Sequence, residues 1–164
     1  MLSNKPVLRV AVDTNLLVSI FLDQDDDLND RTQAVLNSPD VQLVLPTFVG
    51  IETVGTPSMR NGSNIAPVSN RYIDSAKEYF DSCGALWVEV NRRVMLRAQD
   101  YCNRYLLKPP DATILASAVE AECDFLYTHD AQLIKNAQGI DHITVAEPPP
   151  LPPPEPVQTR IDLC

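Results

Sequence analysis

VLRVAVDTNLLVSIF, Val7 to Phe21, decides the fold. Val7, Leu8, Val10, Ala11 and Val12 form a nearly continuous apolar run. Such a run fits a strand covered on both faces, as strands are inside a parallel sheet. It stops at Asp13-Thr14-Asn15, after which Leu16, Leu17, Ile20 and Phe21 open an amphipathic segment. A carboxylate at the carboxyl end of a buried first strand sits where open α/β sheets bind their ligands. Asp, Thr and Asn are also good helix caps, so the triplet alone supports either reading.

The rest of the chain repeats the alternation. Val41 to Leu45 reads as a second strand closed by Pro46. Thr47 then caps a short helix that carries Glu52 in its early turns and turns Phe48, Ile51 and Val54 inward. Gly55 to Asn70, rich in Gly, Ser, Asn and Pro, reads as a long loop. Arg71 to Ser82 is amphipathic and stops before Gly84. Leu86 to Val90 is a third strand. Asn91 caps a helix running to about Leu106, with a core stripe of Val94, Ala98, Tyr101 and Tyr105. Trp87 and Tyr101 both read as core. Pro109-Pro110 opens another helix. Phe125 to Thr128 is a fourth strand, Leu133 and Ile134 mark a short helix, and Ile143 to Val145 is a fifth strand. This order predicts right-handed βαβ units. The expected fold is α/β, a three-layer α/β/α sandwich with a central, mainly parallel sheet of about five strands. The expected organisation is one domain over residues 1–146, then a flexible proline-rich tail over 147–164. The tail contains EPPPLPPPEP, a polyproline segment not expected to join a core.

Composition narrows the function. The chain has 164 residues, 45 % of them hydrophobic, which suffices for a real core. Its formal net charge of −9 argues against non-specific binding of duplexes over a broad basic surface. The four cysteines, Cys83, Cys102, Cys123 and Cys164, show neither C-x-x-C pairing nor zinc spacing. No apolar run approaches the ~20 residues of a membrane span. The opening MLSNKP lacks the layout of a signal peptide, so a cytoplasmic setting is expected. The acidic patch Asp23 to Asp30 lacks the glycine and final Glu of a calcium loop and reads as surface.

Four acids stand at matched places. Asp13 follows strand one, Glu52 lies on the helix after strand two, Asp111 opens the helix before strand four, and Asp130 follows strand four. In a parallel sheet Asp13 and Asp130 leave the same edge, and the other two helices can reach it. Each acid also has an ordinary explanation, such as complementing a helix dipole. Their coincidence at one edge would need several accidents together. Carboxylates so placed repel, and without a cation some would take up protons. Oxygen-only ligands suit one or two Mg²⁺ or Mn²⁺ ions. Such a site hydrolyses phosphodiesters by polarising a phosphoryl oxygen and acidifying a bound water. No nucleophile elbow, Walker loop or dinucleotide fingerprint offers a rival chemistry.

VAVDTNLLVS, LPTFVGIET and PPDATILASAVEAECDFLYTHD, in that order, resemble the PIN domain family, the fold of VapC-type ribonuclease toxins. The resemblance runs from about Val7 to Val145. It implies a metal-dependent endoribonuclease in which Asp13, Glu52, Asp111 and Asp130 bind Mg²⁺ or Mn²⁺ and position water for attack on RNA. It further implies that Asn15 and Thr128 are supporting polar residues, that an antitoxin protein is a partner, and that the chain forms a homodimer.

Arg93, Arg97, Arg104 and Lys108 share one helix face leading to Asp111 and are candidates for contacting RNA, or an ordinary solvated face. Arg60 and His129 are weaker candidates, for phosphate contact and for a proton-shuttle role. A non-catalytic module of the same fold, binding RNA or a protein through the tail, is the alternative function. A phosphoacceptor receiver is set aside, because strand three ends in Val90-Asn91 and not in an acceptor Asp.

Overall fold

The computed structural model describes residues 7–60 and 70–153. Its sheet has five strands: β1 (Leu8–Val12), β2 (Val41–Pro46), β3 (Leu86–Val88), β4 (Phe125–Tyr127) and β5 (Thr144–Ala146). They lie in the order β3-β2-β1-β4-β5, and every pairing is parallel. Seven α-helices connect them among the described residues. They are α1 (Thr14–Leu22), α2 (Asp26–Leu36), α3 (Thr47–Gly55), α4 (Arg71–Ser82), α5 (Arg92–Arg104), α6 (Pro109–Glu120) and α7 (Ala131–Ala137). A 3₁₀ turn at Pro57–Arg60 follows α3. The α/β fold expected from the alternation is the fold observed.

The apolar run explains why β1 lies in the middle of the sheet. Val10, Ala11 and Val12 are fully buried, as are Val44, Leu45 and Leu126 on the two flanking strands. Both faces of the central strands are therefore covered, which a run without polar alternation permits. Right-handed crossovers place α1 to α4 on one face and α5 to α7 on the other. From β1 the chain moves outward through β2 to β3, then returns past β1 to β4 and β5. The direction of travel reverses between β1 and β4. A crevice forms at such a switch point, outside the carboxyl ends of the strands.

Several local expectations change. Pro46, not Thr47, occupies the cap position of α3, and no side chain bonds to the helix end there. Ile51 is 71 % exposed, whereas Val49 and Thr53 are buried. The inward face of α3 is thus set by Val49 and Thr53, with Phe48 and Val54 half-buried. Trp87 is 38 % exposed because β3 is an edge strand, so it is not a core residue. Its ring meets the edge of Phe80 at 5.7 Å between centroids. The acidic patch is half helix: α2 begins at Asp26, and the Asp25 side chain caps it by accepting from the Leu28 N–H at 3.0 Å. The third strand stops at Val88, the fourth at Tyr127, and the fifth starts at Thr144. Pro148 is buried, and its carbonyl accepts from Arg31 Nη1 at 2.6 Å. The first residues of the proline-rich segment therefore do join the fold. Most of the expected 55–70 loop, residues 61–69, lies outside the described residues, as do residues 154–164 of the tail.

Candidate active site at the switch point

Sheet register brings Asp13 level with Thr128. Val12 pairs with Tyr127, and the Asp13 N–H donates to the Tyr127 carbonyl at 2.9 Å. One residue further, each chain leaves the sheet. Asp13 caps α1, its Oδ1 accepting from the Thr14 N–H at 2.7 Å. Asp130 caps α7, its Oδ1 accepting from the Gln132 and Leu133 N–H groups at 2.8 and 3.0 Å. Both residues therefore cap helices while standing at the carboxyl edge of the sheet. A helix start is where an anionic side chain is favoured.

Thr128 joins the two strand ends. Its hydroxyl donates to Asp13 Oδ2 at 2.6 Å and accepts from Asn15 Nδ2 and from the Asp130 N–H, both at 3.0 Å. A hydroxyl has one proton and two lone pairs, so this one is fully used. Thr128 is fully buried. Asn15 returns the link by accepting from the His129 N–H at 3.3 Å. Of the supporting positions named from the sequence, Thr128 therefore contacts Asp13 and the Asp130 backbone directly, and Asn15 reaches them only through Thr128.

Glu52 reaches the same place from α3, and its Oε2 accepts from the Thr14 hydroxyl at 2.5 Å. Asp111 reaches it from the first turn of α6. All four acids line one cavity of about 320 Å³, together with Thr14, Asn15, Gln24 and Thr56. A larger cleft of about 550 Å³ between α1, α2 and α4 is lined by Leu17, Phe21, Leu36 and Tyr79 and carries no carboxylate. Thr14, Gln24 and Thr56 are the site residues that sequence reading missed. Thr14 sits inside the quoted triplet, where its adjacency to Asp13 was the available signal. Gln24 follows a left-handed turn at Asp23, φ 53°, which no pattern announces.

The electrostatics follow from burial and crowding. Asp13 is 5 % exposed. Its carboxyl is pushed up to about 6, chiefly by burial, with the charges of Asp111 and Glu52 adding to the rise. The Thr128 and Thr14 hydrogen bonds oppose it. Asp111 is half-buried and also raised, first by burial, then by Asp130 and Glu52, with Lys108 acting the other way. Carboxylates that raise one another suit a cation, and an all-oxygen set suits Mg²⁺ or Mn²⁺. The donor set fits such an ion. Among the described residues, however, no three Asp, Glu, His or Cys side chains stand as a ready-made metal-binding group.

The other candidates separate. Arg93 and Arg97 both hold Glu120, at 3.1 and 2.5 Å, and Arg104 holds Asp100 at 2.7 Å. Lys108 stands at the cap position of α6, three residues before Asp111. His129 is exposed, with Nδ1 3.2 Å from Glu147 Oε1, and does not line the cavity. Arg60 directs Nη2 at the Gly55 carbonyl, 3.4 Å away.

The sequence matches the PIN domain family model over residues 10–139, and the chain belongs to that family. Solved structures of similar fold include a toxin–antitoxin complex from Klebsiella pneumoniae, with 20 % identity and TM-score 0.61, covering 87 % of this chain and 99 % of that one. Another is VapC20 of Mycobacterium tuberculosis, described as a sarcin–ricin loop cleaving toxin, with 17 % identity and TM-score 0.60, covering 76 % and 92 %. A third is VapBC2 of Rickettsia felis bound to a DNA fragment from its promoter, with 12 % identity and TM-score 0.59, covering 84 % and 97 %. At these identities the likeness is one of fold. No curated protein matches the sequence. No helix among the described residues is long and apolar enough to cross a membrane.

Proposed function

We propose that this protein is a metal-dependent endoribonuclease of the toxin type, hydrolysing RNA phosphodiester bonds. One observation carries the reading: four carboxylates from four separate elements share a single cavity at the switch point of a PIN fold. Asp13, Glu52, Asp111 and Asp130 would hold one or two Mg²⁺ or Mn²⁺ ions. Such an ion, when bound, polarises a phosphoryl oxygen and lowers the pKa of a coordinated water. The chain's own part is to fix the acids. Thr128 and the Thr14 N–H hold both oxygens of Asp13, Thr14 Oγ1 holds Glu52, and the α7 amides hold Asp130 Oδ1. Among the described residues no hydrogen bond fixes the Asp111 side chain, which leaves it the freest of the four to meet a ligand. The solved complexes of similar fold support a small antitoxin as protein partner. Homodimerisation and a cytoplasmic location belong to the same reading.

The test is cleavage of single-stranded RNA by the purified full chain. Activity is expected with Mg²⁺ or Mn²⁺, loss in chelator, and loss in Asp13→Asn. Full activity of that variant overturns the reading. The non-catalytic alternative is favoured by one observation, that no three acids stand as a ready-made metal group. Calorimetry with Mn²⁺ separates the two, since no heat at millimolar metal selects the non-catalytic module.

A further inference from the structure

An RNA strand approaching the cavity meets four acids on a chain of formal net charge −9. Positive charge near the rim must offset that repulsion, and several of the chain's arginines are already occupied. Arg93 and Arg97 are committed to Glu120, Arg104 to Asp100, and Arg31 to Asp27 and the Pro148 carbonyl. Lys108 is exposed and makes no ion pair among the described residues. It also lies close enough to Asp111 for its charge to act on that carboxyl.

Its position in the helix is unusual for a lysine. Lys108 is the cap residue of α6, with φ −66° and ψ 149°, and its side chain makes no capping bond. An ammonium group has no acceptor, so it cannot cap, and it faces the positive end of the helix dipole. The next two residues, Pro109 and Pro110, have no N–H. The Ala112 N–H is already given to the Lys108 carbonyl at 2.9 Å. Only the Asp111 amide is left, so the helix end cannot cradle an anion through its backbone as other helix starts do. A residue that is poor for the helix, beside a helix end stripped of donors, has its explanation in what it offers to a ligand.

We propose that Lys108 is a substrate-positioning residue whose ammonium holds a backbone phosphate of the RNA strand next to the bond lying over the carboxylates. This rests on the ribonuclease reading. Phosphate contacts of this kind set register and orientation without reading bases.

The experiment uses the full chain and a fluorescein-labelled single-stranded RNA oligonucleotide. Binding is followed by anisotropy in chelator across a salt series, and cleavage kinetics are followed in Mn²⁺. Lys108→Ala is expected to weaken binding roughly fivefold at low salt and to make the slope of log K against log salt shallower by about 0.7, one phosphate contact on a single strand. KM should rise while kcat stays near the wild-type value. Lys108→Arg should restore both. Lys135→Ala, which removes an exposed charge on α7, should leave the slope unchanged. A wild-type slope and KM in Lys108→Ala overturn the inference. So does a loss of kcat at unchanged KM, which would make Lys108 a partner of Asp111 only. If the wild-type chain neither binds nor cleaves RNA, the ribonuclease reading fails and takes this inference with it. A cleaving wild type beside an indifferent Lys108→Ala variant overturns this inference alone.

Discussion

Asp13 sets the pH behaviour of the site. Its folded carboxyl titrates near 6 against an ordinary value of 3.8, because burial disfavours its ionised form. The folded state therefore binds this proton more tightly than the unfolded state does. The favourable contribution is complete below about pH 3.8 and is lost as pH rises through about 6. Above that, the ionised group opposes folding by roughly 3 kcal/mol at most. Asp13→Asn should then be more stable than wild type by about 1 to 2 kcal/mol at pH 8, and no more stable at pH 3.5. The gain stays below the full value because an amide NH₂ placed at Oδ2 meets the hydroxyl that now donates there. Urea unfolding in chelator at the two pH values checks it. Thr128 gives the complementary case. Thr128→Val keeps the shape but removes one donated and two accepted hydrogen bonds inside the core. It should cost about 2 to 3 kcal/mol. It should also raise the Asp13 carboxyl further, moving the acid limb of the cleavage profile to higher pH. Thr128→Ser should restore most of both, as read by unfolding and by a pH–rate series.

At the scale of elements, the Glu120 pairs show what α5 and α6 do for each other. Glu120 is near the end of α6, with its side chain 14 % exposed, and it binds Arg93 and Arg97 from α5. The pair joins two helices on the face of the sheet opposite α1 to α4. Arg97 is 39 % exposed, so solvent screening reduces the pair's worth. Glu120→Gln should cost about 1 kcal/mol in a thermal melt while leaving RNA cleavage within about twofold, because these arginines serve the scaffold. A large loss of cleavage would return the arginines to the substrate-binding face. The spacing put all four basic residues on one helix face, but α5 ends at Arg104, and Lys108 lies beyond it at the cap of α6. Spacing could not show that a glutamate 23 residues beyond Arg97 would claim two of them, since that contact exists only after α5 and α6 pack. The same limit explains α3. Ile51 looks like a core residue by composition, but α3 turns Val49 and Thr53 to the core instead. By contrast β1, the triplet after it and the cap of α5 at Asn91 were legible, because each is a local pattern with a local cause.

For the whole molecule, the informative stretch is the beginning of the proline-rich tail. Prolines carry no periodicity, so nothing in EPPPLPPPEP announced that its first residues would pack. Yet Pro148 is buried and accepts from Arg31, while Glu147 faces both Arg31 and His129. Pro149, Pro150, Leu151 and Pro152 then line a cavity of about 250 Å³ with Leu8, Val10, Val41 and Tyr127. These four belong to one face of the sheet, at the strands' amino-terminal half in β1 and β2. Residues 147–152 therefore act as a further strip of the α1–α4 layer, beside apolar surface that α2 leaves open. The strip also touches the site indirectly, because His129 lies between Thr128 and Asp130. Ending the chain after Ala146 should uncover Leu8, Val10 and Tyr127, leave the Arg31 guanidinium short of an acceptor, and cost about 1 to 3 kcal/mol. Ending it after Pro153 keeps every one of these contacts and serves as the control. Thermal melts of the two truncations against the full chain, with a dye that reports exposed apolar surface, decide the matter. Equal melting of all three would mean that the contacts of Pro148 contribute nothing, and that the folded unit closes at Ala146.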